Sequence, residues 1–364
     1  MMHCPAKHHS LLLLAALALL GCGSGEETTP SAGAGPDPGE EVPYGRLSAY
    51  RFFEAPMADL QPKPGVVPYQ VAAPLWADHA GKARFIVLPS EGRVQVSGDE
   101  DWAFPEGTIV IKNFFYTRDR RDPESTAALV ETRLLIRGPT EWKGHTYIWN
   151  EDQTEALRKV SGKRVQLNFI DESGAERSQE YIVPNTNQCK DCHEIDDHNG
   201  LLGVVTRQLG RQVNRGGATV DQLQWLADQG LFTGDAPTPL AAGLVDPFGE
   251  ESLERRARSY LDSNCGHCHR AGGNGGRSGL VLLASETDPR TYGVCKGPIA
   301  AGAGSGDRHH DIVPGQPERS ILIYRMESTD PEIKMPEIPN RLPHADGVEL
   351  ISDWIRALDE PPCQ

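Results

Sequence analysis

Positive charge and long apolar runs are both scarce in this sequence, and each shortage narrows what the chain can do. Lys and Arg number 36 against 51 Asp and Glu, a formal net charge of −15 with a pI near 5.3. Phosphate backbones are held by basic faces, so the composition argues against nucleic acid as a partner. An acidic surface keeps a protein soluble and suits a small basic or metal-bearing partner. The most apolar run, Leu11 to Leu20, is too short to cross a bilayer. What remains is ordinary: 38% hydrophobic and 24% charged residues in 364, a composition for a folded chain of two or three domains.

The apolar run follows Lys7, His8 and His9 and ends in Leu19-Leu20-Gly21-Cys22. A charged start followed by a short apolar segment reads as an export signal, residues 1–21. Its end resembles a bacterial lipobox, in which the Cys, here Cys22, is acylated and becomes the new N-terminus. An ordinary signal peptide containing a cysteine is the plainer alternative. The stretch 22–43 is rich in Gly, Ser, Pro, Thr and Glu, a disordered tether. Gly rather than Asp follows Cys22, which favours the outer membrane of a double-membraned bacterium. The expected location is the periplasmic face of that membrane or the cell surface.

The body changes character along its length. Residues 44–197 carry short β-branched or aromatic runs, such as Arg84 to Leu88, Thr108 to Lys112, Leu129 to Ile136, His145 to Trp149 and Arg164 to Phe169. Gly, Pro, Asp and Asn separate them, which predicts a β-rich domain. Residues 198–250 read as a connector with one helix over 220–230. Residues 251–364 predict helices over 251–264, 320–326 and 344–358. The last has Val348, Leu350, Ile351, Trp354, Ile355 and Leu358 as its apolar stripe. The expected fold class is α+β and multidomain: a β-rich N-terminal domain, then an all-α C-terminal domain.

Four of the eight cysteines fall in two Cys-x-x-Cys-His motifs, Cys189-Lys-Asp-Cys192-His193 and Cys265-Gly-His-Cys268-His269. In such a motif the thiols add to haem's two vinyl groups, and the adjoining His ligates iron from beneath the ring. The predicted cofactors are two covalent haem c groups. A redox dithiol does not need the His. A zinc site built from Cys189, Cys192, Cys265 and Cys268 has the right local spacing, but the wide separation of the pairs and the export signal count against it.

For the second motif Met335, followed by Pro336, is the candidate sixth ligand, since a thioether commonly partners His in cytochromes c. Met326 competes, but its helical neighbours Leu322 and Ile323 favour a packing role. The first motif has no evident sixth ligand. Met57, His79, His145 and His198 are the nearby candidates, and a structural role is the default for each. An iron with His193 alone would leave a face open to small ligands. Cys295 and Cys363 remain. In an oxidising compartment they are candidates for a disulfide, one worth about 4 kcal/mol in the chain-entropy view.

With these residues located, the segment from Gly45 to Ile355 resembles an uncharacterised family of bacterial di-haem c-type cytochromes. The matching stretches include Pro64-Gly-Val-Val-Pro-Tyr69, Phe104 to Lys112, Glu131-Thr-Arg-Leu-Leu135, Tyr147-Ile-Trp-Asn150, Val183 to Cys189, Asp311-Ile-Val-Pro-Gly315 and Tyr324 to Pro331. The resemblance implies haem binding and electron transfer, with no established substrate. The β-rich part alone is similar to cytochrome P460 and β-type cytochrome c′, whose iron often keeps an open site. Lys112 is the position that would correspond to the lysine cross-linked to haem in the P460 proteins, although one strand lysine is usually solvent-facing. The last third resembles a class I cytochrome c.

The resulting expectation is an exported, lipid-anchored di-haem cytochrome that passes single electrons between unknown redox partner proteins. An enzyme or sensor whose first haem acts on peroxide, nitric oxide or hydroxylamine is the alternative. Replacing Cys22 with Ala should move the protein from the membrane pellet to the soluble periplasmic fraction without loss of haem; a variant still in the pellet would remove the lipid anchor.

Overall fold

Alternating β-branched and aromatic residues build one antiparallel sheet. Its strands lie in the order β1 (Val66–Tyr69), β2 (Gly81–Val87), β5 (Ile109–Thr117), β6 (Ala127–Arg137), β7 (Trp142–Trp149) and β8 (Ala156–Arg158). A small hairpin, β3 (Gln95–Ser97) and β4 (Asp101–Ala103), interrupts the sequence between β2 and β5, and β9 (Lys163–Ile170) with β10 (Glu176–Val183) forms another. The computed structural model describes residues 34–36, 41–97, 101–123, 125–195, 198–299, 301–337, 340–359 and 361–363. The leader, Cys4, Cys22 and most of the tether lie outside the described residues.

Register decides what each face of the sheet does, because side chains alternate with period two. Phe85, Ile111 and Leu134 are cross-strand partners on one face. They pack against Leu47, Tyr50, Phe52 and Phe53 in a buried core. On the other face Tyr69, Arg84, Lys112, Arg133 and Thr146 form a continuous row across five strands. Apolar clusters flank this row. Ile86 and Val110 meet Leu209, Leu223 and Leu226 on one side. On the other, Phe114 and Tyr116 meet Tyr181 and Val183.

After the sheet come α1 (Thr186–His193), the two-residue strands β11 (Glu194–Ile195) and β12 (His198–Asn199), and α2 (Thr206–Leu209). A hairpin of β13 (Gln212–Arg215) and β14 (Ala218–Asp221) leads into α3 (Gln222–Asp228). The last third holds α4 (Leu253–Leu261), α5 (Ile321–Glu327) and α6 (Ala345–Ala357). Leu350, Ile351, Trp354 and Ile355 of α6 bury against Ala257, Tyr260 and Leu261 of α4. Full burial of each such side chain contributes about 1.5–3 kcal/mol. Gly347 permits this approach, because a Cβ there would run into the Tyr260 ring. A Cys295–Cys363 disulfide ties the chain end to the turn that contains Tyr292.

The expected α+β multidomain architecture with an all-α, cytochrome c-like C-terminal domain is overturned. The protein is sheet-rich, with 26% strand against 22% helix, its helices are short, and among the described residues there is no all-α C-terminal domain. Residues 33–364 form one unit. The apolar stripes after residue 250 last only two to four turns, and the Gly- and Pro-rich chain between them adopts turns and isolated bridges such as Val294–Ile312 and His310–Ser320. The helices also lack a self-contained boundary, since the β1–β2 connection is woven into them. The Trp76 amide donates to Asn264 Oδ1 (2.7 Å), its indole N–H donates to the Leu342 carbonyl (3.1 Å), and its ring stacks on His344 at 3.9 Å.

Asp78 completes this junction. Its buried carboxylate accepts the backbone N–H of Arg341 (2.8 and 3.0 Å) and of Leu342 (3.0 Å). Asp78→Ala would orphan both donors, at about 1–3 kcal/mol each. The urea unfolding midpoint should fall accordingly, and less for Asp78→Asn, which keeps one acceptor oxygen. An unchanged midpoint in Asp78→Ala would remove this carboxylate from the fold's stability.

Candidate metal and cofactor centre

The first motif sits on α1. Asn185 caps it, its side chain accepting the Gln188 N–H (2.9 Å) while Gln188 Oε1 accepts the Asn185 N–H (3.0 Å). This reciprocal box starts the helix directly after β10. Positions three and four apart share a helix face, so Cys189, Cys192 and His193 point one way. They open on a cavity of about 400 Å³ whose opposite wall is the cationic row of the sheet, Arg84, Lys112 and Arg133.

The second motif follows α4. The helix is capped by Ser252, then widens into a π-turn, Asp262–Gly266, that carries Cys265. Such bulges re-aim side chains at functional sites. The amides of Cys268 and His269 both donate to the Cys265 carbonyl, at 3.1 and 2.9 Å, which closes the motif into a tight turn. Cys265, Cys268 and His269 border a second cavity of about 120 Å³, together with Leu280, Leu282, Met326 and Met335. Gly275 lies against the His269 ring, where a Cβ would stand 3.0 Å from Nδ1.

Both imidazoles are held the same way. His193 Nδ1 lies 3.0 Å from the Gly200 carbonyl, so it must be the donor. His269 Nδ1 lies 3.1 Å from Ser278 Oγ. That hydroxyl gives its own proton to the Gly275 carbonyl at 2.6 Å, so it accepts from the imidazole. In each ring the proton is fixed on Nδ1 and Nε2 keeps its lone pair, the arrangement of a metal-ligating His. Burial pushes both imidazoles down to about 4, helped by Lys112 for His193 and by Arg325 for His269. They are therefore neutral near pH 7. Burial also pushes the Cys189 thiol up, and that of Cys265 up to about 12. Each set thus offers two soft sulfurs and one neutral imidazole, a donor set that suits a thioether-bound haem.

The two motifs, far apart in sequence, abut in space. The Asp191 carbonyl accepts the Asn274 side-chain amide (2.8 Å) and the Cys268 thiol (3.5 Å). Cys192, His267 and Cys268 bring their ligand atoms within 4.8 Å of one another, a group able to hold a metal ion. The Cys268 thiol hydrogen-bonds Cys192, which holds the Cys192 thiol low and pushes Cys268 up. Cys189 and Cys265 are not part of this group. A four-thiolate zinc site is therefore not assembled among the described residues.

The sequence candidates for sixth ligands fare differently. Met335 and Met326 both border the second cavity, with Met326 also part of the α4–α6 core. At the first cavity no methionine contributes to the wall. Met57 packs at the edge of the core on the opposite face of the sheet. His79 is exposed beside Trp76. His145 borders the first cavity, although as the cross-strand partner of Leu134 it lies at a position alternate to the row of Lys112 and Arg133. His198 lies on β12, and its side chain is outside the described residues. Lys112 is not solvent-facing in the usual way, since it opens on the cavity. Arg84, Arg133, His267 and Ser278 were not legible as site residues. Only the β-register and the loop closure bring them in, although the alternation in Arg84-Phe-Ile and Ile-Lys112-Asn hinted at one polar face.

No protein-family model, curated protein or solved structure matches the chain.

Proposed function

We propose that the chain is an exported di-haem c-type cytochrome that transfers single electrons between redox partner proteins, anchored through Cys22 at the outer membrane. The observation that carries this reading is the repeated donor set. Two Cys-x-x-Cys-His segments each border a cavity, and in each the His Nδ1 proton is committed to an oxygen, leaving Nε2 for a metal. The motifs' resemblance to di-haem cytochromes and the export signal support it. The haems would supply reversible one-electron chemistry at iron.

The chain's own residues then do three things. Cys189 and Cys192, and Cys265 and Cys268, fix the cofactors covalently. His193 and His269 are held in the ligating tautomer by Gly200 and Ser278. Contact between the motifs through Asp191 would hold the two haem-binding segments beside each other, and the acidic surface suits basic partner proteins. On this reading Met335 is the sixth ligand of the second centre. A second reading rests on the first cavity, whose described wall offers no thioether and whose imidazoles are those of His193, His145 and His267. There a haem held by Cys189, Cys192 and His193 would supply an open position for a small molecule such as peroxide, nitric oxide or hydroxylamine. A third, a zinc protein, is favoured only by the Cys192–His267–Cys268 group.

Spectra recorded during a redox titration separate these. A thioether raises the potential, so Met335→Ala should lower the potential of one haem and leave the other unchanged. An identical titration curve would strip Met335 of its role. Carbon monoxide should leave both low-spin spectra unaltered if transfer is the whole function, whereas a shift of one Soret band would favour the open-site reading. Metal analysis finding zinc and no iron would sink both.

A further inference from the structure

The face of the sheet that walls the first cavity carries more positive charge than the protein neutralises. Arg84 and Lys112 are direct cross-strand partners, and Lys112 is in turn the partner of Arg133. Like charges placed opposite one another on a sheet repel. Arg133 has a carboxylate: Glu131 accepts from its Nη2 (2.5 Å) and Nε (2.9 Å). That carboxylate also accepts from Tyr181, at 2.6 Å. Lys82, on the same face, donates to the Leu75 and Ala80 carbonyls.

Arg84 and Lys112 make no hydrogen bond or ion pair with any described residue. Lys112 has only the Phe114 ring, 5.1 Å away, and Arg133 stacks on that same ring. The surface each cation still shows faces the cavity. The two nearest acids on the cavity wall serve elsewhere. Asp262 is taken by Arg207 (3.6 Å) and the Ala284 N–H (2.9 Å). Glu141 lies at the far end of β7, about 16 Å along the strand from Thr146. Burial lowers the pKa of both cations, opposed by Tyr69 for Arg84 and by Glu131 for Lys112. Cations buried in a protein without a bonded counter-ion are costly to keep charged, and a partner anion removes that cost.

We infer that Arg84 and Lys112 form an anion site in the cavity of the first motif, taking a carboxylate or similar oxyanion. A planar guanidinium fork beside an ammonium suits a two-oxygen anion, with Arg84 binding it bidentately and Lys112 neutralising it. The anion has two possible sources, a propionate of the haem held at Cys189 and Cys192, or a free small anion such as formate or nitrite. The first source rests on the di-haem reading; the charge argument itself does not.

The test uses the purified full-length protein and its Arg84→Gln, Lys112→Gln and Arg84→Lys variants. Covalent haem is counted first by pyridine haemochrome, then the samples are titrated with formate and with nitrite at constant ionic strength. If the anion is free, the wild type gives a saturable Soret change. Its affinity falls at least tenfold in the two Gln variants and recovers to within a few-fold in Arg84→Lys. If the anion is a propionate, formate and nitrite change nothing. The Gln variants then lower the potential of the haem that Met335→Ala leaves untouched, and Arg84→Lys restores it. Two haems per chain with no anion response and unaltered potentials in all variants would overturn the site alone. No haem at all would overturn the di-haem reading. Calorimetry with formate would still decide the site: binding lost in the Gln variants supports it, and no binding to the wild type ends it.

Discussion

One backbone carbonyl holds the two halves of this protein's chemistry together. Asp191, inside the first Cys-x-x-Cys-His motif, receives the side-chain amide of Asn274 from the loop that follows the second. Its position requires α1 to leave the sheet at the right place, which the Asn185–Gln188 box ensures. It requires equally that α4 run into a π-turn, after which Cys268 and Asn274 come up to Asp191 of α1. The Trp76–Asn264 and Asp78–Leu342 bonds then clamp the helices to the sheet.

The contact makes the two sites neighbours but not equivalents. The second cavity is small and is lined mostly by aliphatic side chains and two thioethers. On the proposed reading such a wall would chiefly fix a cofactor and set its electronics. The first cavity is larger and is faced by a row of cations on a rigid sheet. Placing charges on strands rather than loops holds them to a fixed geometry. If chemistry beyond electron transfer takes place in this protein, it belongs on that side.

Much of the secondary structure was legible in the sequence, and the errors follow from physics the sequence does not display. The runs at 84–88, 108–112, 129–136, 145–149 and 164–169 all lie within or overlap observed strands, because β-branched alternation reports a pleated surface. The helices at 253–261, 321–327 and 345–357 fall where their apolar stripes lie. Helix α1 was not read, since Thr-Asn-Gln-Cys-Lys-Asp-Cys-His has no apolar stripe; its only signal is the cap. The separate all-α domain failed for another reason. Periodicity reports that a helix has a buried face, not what covers it, and here Trp76 and Asp78 of the sheet supply part of the cover. The donor residues of the site were visible as motifs. Their contact was not, because an Asp191 carbonyl carries no sequence signature.

The central claim is that all four motif cysteines are spent on two covalent haems. Intact mass of the exported protein, after denaturation and acid–acetone extraction, reads this directly. The account predicts a polypeptide heavier than its mature sequence and lipid by two haem groups, both lost when Cys192 and Cys268 are replaced together with Cys189 and Cys265. A chain at its unmodified mass, with four titratable thiols besides the Cys295–Cys363 disulfide, would contradict it.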